Sequence, residues 1–267
     1  MSKVEKLIKY LAIAFAGVLI VFIFLGAING IMYLTNIFTK GNTFEKENIF
    51  TSIKELDIDV YSANITIKQS DSFKVITSNK YISHKEENGK LYITERKHTW
   101  FKNSKDSELT IYVPSNFIFD NVVLSSGAGS VIINKLSTNL LYLDLGAGSI
   151  DINNLMVYSK AKIDGGAGAI TINDGYINNL DLDLGVGKSF ISASIHGSSD
   201  IDCGVGKMDL NLIGDSSIYK IKVDKGLGSF TVAGEKVKDD TYYGNGENII
   251  NIDGGIGSIN VGFIESN

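Results

Sequence analysis

The chain has 267 residues, 44% of them hydrophobic, with 28 glycines, one proline and one cysteine, and it carries a net charge of −5 at pH 7. That length allows one sizeable domain and something besides it. An acidic balance with no basic block argues against a nucleic-acid surface, and the lone Cys203 rules out an intrachain disulfide.

Residues 1–9 hold Lys3, Lys6 and Lys9 against one acid, Glu5. From Tyr10 to Ile28 there is no charge, and apolar character continues weakly beyond. A membrane span needs about 20 such residues, so 10–32 is expected to be a transmembrane helix acting as a signal anchor, followed by a linker at 33–48. The lysines before it place 1–9 in the cytoplasm and export the rest. A cleaved secretory signal is the competing reading, with Gly26-Ala27 as a small-residue site, but the run exceeds the roughly 7–15 residues usual for a signal core. No cysteine directly follows the run, which argues against a lipoprotein anchor.

The stretch 49–120 reads as irregular β structure. Leu56-Asp57-Ile58-Asp59-Val60 and Ile65-Thr66-Ile67 alternate with period two around Ser62-Ala63-Asn64, which resembles a worn copy of the later repeat. Further strands are expected at 73–77, 91–95 and 109–113. Such irregular leading units suit the cap that a stacked repeat needs over its first unpaired edge. The polar loop between the last two holds the only tryptophan, Trp100, beside Phe101. Packing over the open end of a core suits this pair better than partner binding.

From 121 to the end the chain repeats. Gly-x-Gly stands at 127/129, 146/148, 166/168, 185/187, 204/206, 226/228 and 255/257, at spacings of 19, 20, 19, 19, 22 and 29. Three residues before each first glycine come Leu124, Leu143, Ile163, Leu182, Ile201, Val223 and Ile252; six after it come Ile133, Ile152, Ile172, Ile191, Leu210, Val232 and Val261. Alternation on both sides is the pattern of strands with one buried face, and no helical period competes. The fold class is therefore all-β: a parallel β-solenoid of about seven rungs, right-handed like most parallel crossovers, behind the N-terminal span. The last spacing implies an insertion at 235–246. The final rung, ending at Phe263, is expected to leave the groups of 257–262 without a neighbour, so either that insertion folds over it or another chain docks there by strand addition.

Three segments carry a resemblance: Leu56-Asp57-Ile58 with Ile65-Thr66-Ile67, the Leu109-Thr110-Ile111-Tyr112-Val113-Pro114 stretch, and the run of Gly-Ala-Gly-Ser-x-x-Ile rungs. Over about 210 residues the chain resembles the putative adhesin family of bacterial envelope proteins. The resemblance implies a β-solenoid behind one membrane span and supplies no catalytic residues. The later rungs depart from the pattern with Gly-Val-Gly-Lys at Lys188 and Lys207.

Two residues before the first glycine stand Asp144, Asp164, Asp183, Asp202, Asp224 and Asp253, with Ser125 breaking the column. The expectation is that these carboxylates accept backbone N–H bonds at the corner, as in Asx-turns; a cation ladder is the alternative. No Gly-x-Gly continues to a third glycine opening a helix, so phosphate cradling is not expected. Lys188, Lys207, Asp209 and His196 are weighed as a glycan-cleaving groove against a solvated lysine column, and the bland reading wins. His84, His98 and His196 sit in unrelated places, no serine has a nucleophile context, and Cys203 reads as a structural thiol. No catalytic, cofactor-binding or metal residue is assigned, no cofactor is expected, and Asn64-Ile65-Thr66 is discounted as a glycosylation site.

The function that follows is a non-enzymatic, membrane-anchored extracytoplasmic solenoid for adhesion or cell-envelope interaction. An accessory to envelope-stress signalling bound to a membrane partner is the alternative, and a glycan-acting enzyme the third. The expected partners are the membrane and an envelope glycan or membrane protein, with no nucleic acid, and oligomers through edge docking.

Overall fold

The structure, a computed structural model, describes residues 46–50, 53–96 and 107–265. The run at 10–32 and the loop with His98 and Trp100 lie outside the described residues; within them no helix is long and apolar enough to cross a membrane. The described chain is all-β.

Seven short strands lead: β1 (Lys46–Phe50), β2 (Glu55–Val60), β3 (Asn64–Ser70), β4 (Phe73–Thr77), β5 (Ile82–Glu87), β6 (Lys90–Glu95) and β7 (Glu108–Pro114). Then come β8 (Phe119–Ile133), β9 (Leu136–Ile152), β10 (Leu155–Ile172), the short β11 (Gly175–Asn178), β12 (Leu180–His196) and β13 (Ser198–Ile213). The chain closes with β14 (Tyr219–Asp224), β15 (Leu227–Val232), β16 (Glu235–Lys236), β17 (Thr241–Tyr243), β18 (Asn248–Asp253) and β19 (Ile256–Ile264).

The long strands pair in parallel and in register, β8 with β9, β9 with β10, β10 with β12 and β12 with β13. Inward columns are the ones the alternation implies: Leu143, Ile163 and Leu182 before the glycines, and Ile152, Ile172 and Ile191 after them, are all buried. Each such side chain contributes about 1.5–3 kcal/mol through the apolar area it removes from water. A third side of the rung forms where Leu155 lies between Leu136 and Gly175, and Ile177 between Val157 and Ile195.

The order of rungs at both ends differs from chain order. At the C-terminal end β13 pairs with β18 and β19, not with β14 and β15, which lie one place further out against β18 and β19. The sequence-last rung is thus intercalated, with both backbone edges paired. The expectation that its groups lack a neighbour is corrected: chain order is not stacking order, because the 29-residue spacing lets the chain return inside the rung before it. At the N-terminal end β2 and β3 sit between β8 and the pair β6 and β7. Nine parallel rungs result, spanning about 38 Å at the usual strand spacing of about 4.8 Å.

Antiparallel strands close both ends. Within the 235–246 insertion, β17 pairs with β14 and β16 with β15, so the insertion covers the outer edge of the true terminal rung. Tyr243 stacks on Phe263 at 5.7 Å between ring centres. At the other end β5 covers β6, β4 covers β7, and β1 lies on β4. The β5–β6 hairpin turns on Asn88-Gly89, both with positive φ (53° and 79°), the backbone that a two-residue hairpin with right-twisted strands requires. The β15–β16 hairpin uses Ala233-Gly234 in the same way, with φ of 52° and 80°.

Candidate functional site

The glycine corner is where this fold departs from ordinary strand chemistry. The hydrogen-bonded ladder does not stop there: Ala147 pairs with Ala128 and Ala167, and Gly148 with Gly129 and Gly168. The chain changes direction because the second glycine takes positive φ, +146° at Gly148, and because a Cβ there would collide with the carbonyl oxygen of Gly129 on the neighbouring rung. Backbone packs directly on backbone.

The aspartates form a register column on the outer face. In space it runs Asp59, Ser125, Asp144, Asp164, Asp183, Asp202, Asp253 and Asp224. Among the described residues none of these carboxylates accepts a backbone N–H bond at the corner, which corrects the expected turn-capping role. The physical reason is that the corner is ladder, so its N–H groups already have carbonyl partners. Asp164 instead accepts from Tyr142 Oη at 3.0 Å and lies 3.3 Å from Lys162 Nζ. Burial, and then the neighbouring Asp253 and Asp183, push the Asp202 carboxyl above its ordinary range. Beside the column, Asn251 Nδ2 donates to Asp200 Oδ1 at 2.8 Å. Among the described residues no three His, Cys, Asp or Glu converge on a point that could hold a metal ion.

Behind the corner the chain leaves a narrow slot of about 60 Å³, reaching from Gly129 on β8 to Ser229 on β15. Its walls include the residues between the glycines: Ala147, Ala167, Val186, Val205 and Ile256. Cys203 and Met208 face each other inside it, with the thiol Sγ 3.6 Å from the thioether sulfur. Burial, with Asp202 and Asp253 adding to it, pushes the thiol up to about 12, so it is a neutral apolar wall group rather than a nucleophile. Ser189 occupies the inward column that elsewhere holds Val131, Ile150, Ile170, Met208 and Ile259. It is only 4% exposed, and among the described residues its hydroxyl has no hydrogen-bond partner.

Lys188 and Lys207 are register neighbours at the slot. Lys207 is tied to Asp209 at 2.6 Å, whereas Lys188 makes no ion pair among the described residues. His196 is not brought to them; it lies on the third side, 4.7 Å from the Tyr176 ring and 2.9 Å from Ser194 Oγ. His84 packs edge-on to Phe50 in the N-terminal cap. Sequence reasoning missed the second corner, built on asparagine. Asn173 Nδ2 donates to both Asp151 Oδ1 and Asn153 Oδ1, and the N–H groups of Asn134, Asn153 and Asn173 bond to Ile67, Ile133 and Ile152. The signal was there, as asparagine recurs seven residues after the first glycine at 134, 153, 173 and 211. Ser189, an interruption of one apolar column, was equally visible and equally missed.

Comparison with known proteins places this geometry. A family model described as Toastrack DUF4097 matches residues 53–238. Among solved structures, a putative adhesin from Bacteroides fragilis NCTC 9343 is 17% identical, with a TM-score of 0.43, covering 84% of this chain and 98% of its own. A putative cell adhesion protein from Clostridium sporogenes ATCC 15579 is 19% identical, with a TM-score of 0.36 and coverage of 84% and 100%. A putative adhesin from Parabacteroides merdae ATCC 43184 is 13% identical, with a TM-score of 0.38 and coverage of 84% and 97%. A search of curated proteins gives no match. With the family model covering well over half of its length, this chain belongs to the Toastrack DUF4097 family.

Proposed function

We propose that this protein is a non-enzymatic display module: a right-handed β-solenoid held outside the cell membrane by one N-terminal span at 10–32, serving adhesion or cell-envelope interaction. The observation that carries the reading is the set of exposed columns in register. A stack whose ends are closed by its own antiparallel strands offers partners its sides, and those sides repeat one chemistry at each rung, as in the Asp144-to-Asp224 column. A repeating partner such as an envelope glycan or a membrane protein's extended segment meets several rungs at once, and such multivalency raises avidity without any strong single contact. The lysines before the apolar run support the outward orientation.

Proteinase added to intact cells tests the placement: the solenoid should be removed while 1–9 stays protected, and a protected solenoid contradicts the proposal. Capture from intact membranes with the exported unit, repeated with the column aspartates 164, 183 and 202 changed to asparagine, tests the interaction. Partners lost with the column support it; partners retained unchanged remove the column from the account.

A further inference from the structure

The third side of the stack differs from the other two in its charge. One outer face carries the aspartate column, and the face beyond the glycine corner carries Lys188 and Lys207. On the third side Met156 pairs with Tyr176, Tyr176 with Ser194 and Asn178 with His196. With Tyr158 these are six outward side chains over three rungs. None is an acid, a lysine or an arginine, in a chain whose residues are 21% charged. Tyr158 is 40% exposed, its ring centre lies 6.2 Å from that of Tyr176, and Tyr176 lies 4.7 Å from His196. Asn178 Nδ2 donates to the Tyr158 carbonyl at 2.7 Å, and Ser194 Oγ lies 2.9 Å from His196 Nε2, so these polar groups are held in place. The phenol hydroxyls of Tyr158 and Tyr176 make no hydrogen bond among the described residues.

This uncharged row leads to a cleft. Ser70 at the end of β3 pairs with Pro114 at the end of β7, and the turns after them part around an open hollow of about 390 Å³, within the roughly 300–1,000 Å³ of small-molecule sites. The Phe117 N–H donates to the Pro114 carbonyl at 3.0 Å, closing the second turn. The Phe117 ring, part of the lining, is held edge-on by Phe73 at 4.7 Å and Phe119 at 4.9 Å. Asp71, Ser115 and Asn116 add exposed polar groups beside it. Phe119 pairs with Thr138, and Thr138 with Val157 beside Met156. Cleft and row therefore share one side of the stack over β8 to β12, about 19 Å at the usual strand spacing.

The chemistry of this side selects among partners. Phenols, amides, serine hydroxyls and imidazole both donate and accept hydrogen bonds without charge, and aromatic rings add apolar area with a polar tip. A purely apolar partner would strip water from these groups and leave them unpaired, which is unfavourable. A polyanion would meet Asp71 and no cation on the row, and a polycation is better served by the aspartate column. A neutral sugar chain has what remains: hydroxyls that donate and accept in turn, and C–H patches between them. We propose that the third side binds a neutral, unbranched oligosaccharide. One sugar sits in the cleft, where Asp71 and Asn116 take its hydroxyls and Phe117 its apolar patch, and the following sugars lie along Tyr158, Tyr176 and His196. The proposal rests on the display reading and names the partner and the face that meets it.

Saturation-transfer NMR titration of the full chain in lipid nanodiscs tests it. The probes are tetrasaccharides of β1,4-linked N-acetylglucosamine, β1,4-linked glucose and α1,6-linked mannose, with a tetramer of galacturonic acid as the anionic control. At least one neutral probe should bind saturably, and the anionic one far more weakly. Tyr158→Ala and Asp71→Ala, both at exposed positions, should each weaken that binding about tenfold, the loss of roughly one good contact, with unchanged melting temperatures. The variant with aspartates 164, 183 and 202 changed to asparagine should bind the sugar as the native chain does, so that this site and the column are read separately. Absence of binding by all three neutral probes, equal binding of the anionic tetramer, unchanged affinity in either alanine variant, or loss of binding in the column variant overturns the proposal. A full chain that sediments as a dimer, and as a monomer in Tyr158→Arg, would show a second copy on this face instead and would equally overturn it. None of these results touches the proteinase test of placement outside the cell.

Discussion

Replacing Gly187 by alanine isolates the physics of the corner. Gly187 pairs with Gly168 on one side and Gly206 on the other, with φ of +152°, and a Cβ built on it falls deep inside contact distance of Gly168 O. Two costs add. The backbone conformation disfavours an L side chain by about 1–2 kcal/mol. Relieving the overlap parts β10 from β12 locally and loosens some three ladder bonds, each with a net value of about 0.5–1.5 kcal/mol. Together they come to roughly 3–6 kcal/mol, a large fraction of the about 5–15 kcal/mol typical of a domain. Gly234→Ala is the control: its φ is +80°, but nothing lies within 4 Å of the added Cβ, so only the conformational cost of about 1–2 kcal/mol applies. Urea unfolding followed by circular dichroism compares the two midpoints. If Gly187→Ala costs no more than Gly234→Ala, backbone-on-backbone packing at the corner does not hold the stack together.

Three further outcomes follow from particular residues. Ala233→Gly should stabilise by about 1 kcal/mol, because Ala233 holds a φ of 52° that glycine adopts freely; a lower melting temperature contradicts this. Asp202 has a raised folded-state pKa, so its contribution is fully present below the ordinary carboxylate value of 3.8 and is lost as pH rises through the raised value. Asp202→Asn should therefore flatten stability against pH across that window and gain at most about 1 kcal/mol at pH 7, since the group is exposed and screened; a steeper slope in the variant refutes the repulsion. Deleting 235–246 and joining its ends with a short flexible linker should uncover β14 and β15 and convert monomers into dimers or filaments in sedimentation. A deleted protein that stays monomeric and equally stable shows that the insertion is not the cap.

Much of the stack was legible in the sequence, because each rung must repeat the inward positions of the one before. Leu143, Ile163 and Leu182 had to recur at the period that brings them into register. The worn copy at Ser62-Ala63-Asn64 was legible for the same reason: Ala63 is buried, and Asn64 Oδ1 accepts from the Ser130 N–H at 3.2 Å. Stacking order was not legible. Ile252 and Val223 present the same inward chemistry, so nothing in either rung says which lies nearer to Ile201. Only the connection length decides it, since 24 residues between Asp224 and Ile249 let the chain fold a cap and return inside. The aspartate column suggests turn capping because the sequence alone does not show which partners the N–H groups of the corner have, whereas in the stack the ladder runs through the corner and occupies them. Ser189 is not legible as a special position, because a single polar residue in an apolar column carries no period.

Disulfide cross-linking of the intercalated rung tests the central claim most directly. With Cys203→Ala as background, Lys207→Cys paired with Ser258→Cys places thiols on register neighbours, about 4.8 Å apart at the backbone and within the roughly 4.4–6.8 Å that a disulfide needs. Lys207→Cys with Ser229→Cys separates them by two rungs, about 9.6 Å, because Ser229 pairs with Ser258. The interleaved stack predicts rapid oxidation of the 207–258 pair and none of the 207–229 pair. The reverse pattern would mean that rungs stack in chain order, and the continuous slot, the paired C-terminal edge and the covering role of 235–246 would all fall with it.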